Sequence, residues 1–143
     1  MKTIINPVLF FVGAMLASSL LNADSLPRTE SPEGAQVYII SPVDGETVGN
    51  EVTVKFGLKG MGVAPAGTVK ENTGHHHLLV DAKKLPDFDK PMGKEVMHFG
   101  GGQTEKTITL GKGSHTLQMI LGDHLHIPHN PPVVSEKITI QVK

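Results

Sequence analysis

Glu51-Val52-Thr53-Val54-Lys55-Phe56-Gly57-Leu58 alternates with a period of two, Val52, Val54, Phe56 and Leu58 on one face and Glu51, Thr53, Lys55 and Gly57 on the other. A helical turn would scatter those four apolar side chains around its axis, so the segment reads as a half-buried strand. Upstream, Val37 to Ile40 is a short apolar strand that runs into Pro42-Val43-Asp44-Gly45, a run of turn-forming residues. Downstream, His75 to Asp81 keeps Leu78 and Val80 on one face, and Lys106 to Leu110 reads as another strand. His115 to Leu121 groups Leu117, Met119 and Leu121, and Glu136 to Val142 groups Ile138, Ile140 and Val142. Pro86, Pro91 and Gly100-Gly101-Gly102 interrupt the middle, where only Glu95 to Phe99 hints at a strand, and no segment carries a helical period of useful length. Short strands separated by turn signals predict an all-β, antiparallel β-sandwich of immunoglobulin-like type.

The chain begins with an apolar stretch, Val8 to Leu21, behind Lys2. Residues 1–23 therefore read as a signal peptide, with Ala23 the last residue before cleavage, although Leu21 stands where a small residue is usual. Residues 24–36 are polar with two prolines and read as a flexible leader, leaving 37–143 as a single β-sandwich domain. The expected location is the periplasm or the exterior, with no stable membrane anchor once the signal is cleaved. The chain has no cysteine, which excludes a lipoprotein anchor, a disulfide framework and a thiolate metal site. Cleavage removes one of 13 basic residues and none of the 14 acidic ones, for a formal charge of −2, a balance that argues against nucleic acid as a partner. No tryptophan and one tyrosine leave few aromatic platforms for sugars or bases.

Six of the eight histidines fall in two short clusters, His75-His76-His77 and His124, His126 and His129. Neutral imidazole is a ligand for copper and zinc, and rings at i and i+2 of a strand project from the same face. In a sandwich of this kind the strands at 75–81, 115–121 and 136–142 share a sheet, and the loops that carry the two clusters lie at the same end. If Leu78 and Val80 face the core, His75 and His77 point outward and His76 inward. An unbroken strand from Leu117 would also send His124 and His126 outward, whereas a bulge at Gly122-Asp123 would reverse that parity. The candidate metal ligands are therefore His75, His77, His124, His126 and His129. Weaker candidates are His76, which fits a core position equally well, His98, Met61 and Met97, the last two as thioethers suited to copper(I). Asp81 and Asp123 are candidate partners for the far ring nitrogens. His115 starts its strand at the opposite end and reads as structural.

Ser41-Pro42-Val43-Asp44-Gly45-Glu46-Thr47-Val48 and the closing pair of long strands resemble bacterial immunoglobulin-like domains. A more specific resemblance rests on Gly57-Leu58-Lys59-Gly60-Met61-Gly62-Val63-Ala64-Pro65-Ala66-Gly67, Gly74-His75-His76-His77-Leu78-Leu79-Val80-Asp81, and His98-Phe99-Gly100-Gly101-Gly102-Gln103-Thr104-Glu105. It continues through His115-Thr116-Leu117-Gln118 and from Gly122-Asp123-His124 through His126, Pro128, His129 and Pro131-Pro132-Val133-Val134-Ser135. Together these motifs are similar to the exported bacterial domain of unknown function 4399, which implies a small exported domain and brings no activity or ligand with it. The histidines alone therefore carry the functional expectation: a periplasmic protein that binds copper, or alternatively zinc, for storage, delivery or resistance. Two other expectations remain, a metal-free module that binds another envelope protein and, with less support, a metal-dependent redox enzyme. The glycine-rich loop after His98 lacks the lysine and hydroxyl pair of a phosphate loop, and no serine sits in a nucleophile motif.

Overall fold

The computed structural model describes residues 26–143, so the expected signal peptide lies outside the described residues. It is an all-β sandwich with no helix among the described residues. One sheet has three strands in the order β1 (Gln36–Ser41), β3 (Glu51–Lys59), β7 (Glu105–Thr109). The other has β2 (Thr47–Val48), β9 (Ile138–Val142), β8 (Gly113–Gly122), β5 (Thr73–Val80) and β4 (Gly62–Val63), with β6 (Met97–His98) also paired to β5.

The period-two pattern of β3 explains its placement, since Val52, Val54 and Phe56 are buried between the sheets while Glu51, Thr53 and Lys55 are exposed. Gly57 lies under the Tyr38 ring, which stands 2.2 Å from where a Cβ would be, so a larger residue there would have to displace that ring. From the second sheet, Leu78, Leu117, Met119, Leu121, Ile140 and Val142 meet the β3 side chains in one core. Each such buried side chain contributes about 1.5–3 kcal/mol relative to leaving it exposed.

The outer face of the second sheet carries a separate small cluster of Leu79, Met92, Val96 and Ile120. Segments 82–98 and 123–135 cover that face. This cover decides the site, because outward-pointing residues of β5 and β8 are thereby buried instead of solvated. Residues 28–31, within the stretch expected to be a leader, hydrogen bond along the 123–131 segment.

Candidate metal centre

β5 pairs antiparallel with β8, His75 opposite Gly122 and His77 opposite Ile120. Leu78 points into the core, so His75 and His77 point to the covered outer face, where both are fully buried. On the other edge of β5, His98 of β6 lies opposite His77 and shares its face. The fourth ring comes from His126, beyond the end of β8. There the Asp123 carboxylate accepts from the backbone N–H groups of Leu125 and Ile127, and His126 N donates to Asp123 O. The turn holds His126 at φ 65°, a left-handed conformation unusual for a residue with a Cβ.

One ring nitrogen from each of His75, His77, His98 and His126 lies within 4.8 Å of the others. His75 Nε2 stands 3.0 Å from His126 Nδ1 and 3.1 Å from His98 Nε2. A single ring nitrogen offers one proton or one in-plane lone pair, so only one of these two contacts can be a good hydrogen bond. An ion with bonds of about 2.0–2.1 Å to four nitrogens in a tetrahedron places those nitrogens about 3.3 Å apart, close to the two short contacts of His75 and inside the 4.8 Å that bounds the whole set. Both nitrogens of His77 and Nδ1 of His75 are buried without a hydrogen-bond partner. Unpaired buried polar atoms cost about 1–3 kcal/mol each, and a cation among them offsets that cost for the nitrogens it binds.

The electrostatics keep the two buried rings, His75 and His77, neutral. Burial, reinforced by the neighbouring imidazoles, lowers the pKa of His75 to about 4 and that of His77 to about 3. His98 is lowered too, by burial and then by His126. Imidazoles facing one another at this distance, the buried pair already free of protons to displace, form a donor set for a metal cation at physiological pH.

Two neighbours set the room available. A Cβ at Gly122 would lie 2.6 Å from His77 Cε1 and 2.8 Å from Met92 Cε, so this glycine leaves space for the His77 ring. A Cβ at Gly100 would lie 2.3 Å from His98 Cε1, so that glycine seats the His98 ring. His98 is exposed and His126 half-buried, which puts the solvent side of the cluster at these two rings.

The other sequence-level candidates lie elsewhere. His124 is half-buried and outside the converging set, because the Asp123 turn ends the strand and breaks the parity that would have carried it onto the shared face. His129 is buried at the inner side of β5, with its Nε2 3.1 Å from the Thr73 carbonyl. His76 faces the core against Phe56, ring centroids 5.3 Å apart, with burial lowering its pKa and the backbone of Gln103 and Gly57 opposing that shift. Met61 packs against the main core, and Met97 pairs with Leu78, which puts it on the opposite side of the ladder from His98. Asp81 bonds His115 Nδ1 at 2.7 Å away from the cluster, so it does not orient a site ring. Asp123 acts through the backbone of the turn. Burial alone would raise its carboxyl pKa, but hydrogen bonds from Thr29, Ile127 and Leu125 outweigh that and hold it low. His98, one of the weaker candidates in the sequence, is among the four converging rings. Its signal was the motif Met97-His98-Phe99 within an expected short strand, obscured by the prolines and glycines on either side.

The family comparison agrees with the motifs. The sequence model for the domain of unknown function DUF4399 matches residues 54–143. The chain belongs to this family. The matched region contains all four converging histidines but not residues 28–31. No curated protein and no solved structure matches the chain.

Proposed function

We propose that the chain is an exported, periplasmic or secreted, protein that binds one copper ion through His75, His77, His98 and His126, for storage, delivery or resistance. The convergence of four imidazole nitrogens carries this reading. Among divalent first-row ions, affinity at nitrogen donors peaks at copper(II), and zinc is the other ion for which four imidazoles form a suitable set. Two rings are buried and two lie at the solvent side, an arrangement suited to an ion that enters and leaves. An enzymatic role would need a coordination position open to substrate, which azide binding to the copper form would reveal.

The test is competitive titration of the metal-free protein with copper(II) and zinc, repeated on His75→Ala/His77→Ala. Uptake of one ion per chain, lost in the double variant, is expected. Uptake that survives the double substitution, or no uptake at micromolar metal, would remove the proposal.

A second reading, a metal-free module that binds another envelope protein, draws on a groove of about 380 Å³ between residues 35–39 and 132–138, beside the exposed Tyr38. Partner binding unchanged in the His75→Ala/His77→Ala variant, together with absent metal uptake, is its signature.

A further inference from the structure

Three of the four site rings sit on paired strands, and the fourth does not. His126 hangs from a turn beyond β8, in the left-handed region of backbone space, where a non-glycine residue stays only if its surroundings hold it. The turn has bonds of its own, from Asp123 N to the Ile127 carbonyl and from Gly67 N to the His124 carbonyl, and a further set that comes from residues 28–31. Thr29 Oγ1 donates to Asp123 Oδ2 at 2.7 Å, and the other oxygen of that carboxylate accepts the N–H groups that shape the turn. Arg28 Nε donates to the Pro128 carbonyl at 3.1 Å and Nη2 donates to the His129 carbonyl. Glu30 bridges in parallel to Asn130, with Asn130 N donating to Thr29 O at 2.9 Å and Ser31 N to Asn130 O at 3.1 Å. Ser31 Oγ donates to the Pro131 carbonyl at 2.7 Å.

The same arginine reaches the second covering segment. Its guanidinium carbon lies 5.6 Å from the Phe88 ring centroid, and Nη1 lies 3.7 Å from Asp89 Oδ1. Three residues further on, Met92 N donates to the carbonyl of His126 itself at 2.8 Å. Residues 28–31 therefore act as a strap across both segments that enclose the site, and both segments grip the backbone around His126. None of these strap contacts touches His75, His77 or His98, which the sheet already fixes.

We propose that residues 28–31 are a latch for the metal centre, with Thr29 and Arg28 as positioning residues that hold His126 in the coordination set. Resting on the four-histidine reading, this latch controls retention of the ion. Docked, it keeps the fourth imidazole in place. Released, it lets the 123–131 turn swing His126 away and leaves a three-imidazole site that gives up its ion faster. By linkage, metal binding in turn holds the strap down.

The test compares full-chain wild type, Thr29→Val, Thr29→Ser and Arg28→Ala, each also in a His126→Ala background, with copper(II) and then zinc as the probe. Readouts are affinity, dissociation rate to a chelator, the copper electron paramagnetic resonance spectrum, and metal-free thermal unfolding. Removing a partner one step behind a metal ligand typically costs 10–100-fold in affinity. Thr29→Val is expected to lose about tenfold or more, mainly as faster dissociation, with the copper spectrum shifted toward that of His126→Ala. Thr29→Ser is expected to restore wild-type values. In the His126→Ala background Thr29→Val should change nothing further, which a merely structural effect would not produce. Equal loss in both backgrounds, or unchanged affinity and off-rate in Thr29→Val and Arg28→Ala, overturns the latch while leaving the four-histidine centre standing. If wild type binds neither ion, the centre and the latch fall together.

Discussion

The metal-free protein should be destabilised by mild acid to an extent set by two buried rings. In the unfolded chain an imidazole takes up its proton near pH 6.5, but in the folded protein His75 does so only near pH 4 and His77 only near pH 3. The unfolded state thus binds protons first, so stability is full above pH 6.5 and drains away as the pH falls below it. The His75 contribution levels off below its folded value, and that of His77 a unit lower. At about 1.36 kcal/mol per pH unit, each ring costs about 3 kcal/mol by pH 4. Repulsion between the two rings enters the His77 value and not that of His75, so it is counted once and the joint loss is the sum, roughly 6 kcal/mol. Domains of this size have about 5–15 kcal/mol of stability in total. The loss should therefore be large in urea titrations of chelator-treated protein between pH 7.5 and 4. Carboxylates also titrate in this range, so the informative quantity is the difference between wild type and His75→Asn/His77→Asn. Wild type should lose roughly 6 kcal/mol more than the double variant across the window. Parallel pH profiles for the two proteins would refute the reasoning, because they would mean that the rings are not held neutral by burial.

Other substitutions separate the site from its surroundings. Gly122→Val should lower metal affinity at least tenfold and cost about 1–3 kcal/mol of stability by displacing the His77 ring, as read by titration and urea unfolding. His98→Ala should weaken binding strongly, whereas His124→Ala should leave the binding isotherm unchanged; the reverse pattern would place the site wrongly. His76→Leu should leave metal affinity intact and keep or raise thermal stability, since both ring nitrogens are buried without a partner against Phe56 and Phe99. Destabilisation of that variant beyond 2 kcal/mol, an order-of-magnitude threshold for a lost buried hydrogen bond, would show that His76 is satisfied in solution.

The sandwich was legible because its strands announce themselves by alternation. Val52 to Leu58, Leu117 to Leu121 and Ile138 to Val142 each place one face inward, and Leu78 and Val80 correctly send His75 and His77 to the opposite side of the sheet from His76. Parity failed where pairing ended. Gly122-Asp123 was the expected weak point, and the Asp123 turn there brings His126 rather than His124 to the cluster. His98 was hard to place because its strand is only two residues long and owes its existence to pairing with β5, not to local pattern. The burial of the outer face was also illegible. It depends on segments 82–98 and 123–135 folding over β5 and β8, and on residues 28–31 reaching across about a hundred positions to Asp123, Pro128 and Asn130. Contacts of that separation leave no periodic trace in the chain.

The central claim is that four imidazoles share one ion, and anomalous diffraction from crystals of the copper-loaded protein tests it most directly. A single strong peak at the copper edge, about 2.0–2.1 Å from one nitrogen each of His75, His77, His98 and His126, is the predicted result. A peak centred on His124 or His129, or none at this cluster at full loading, would contradict it.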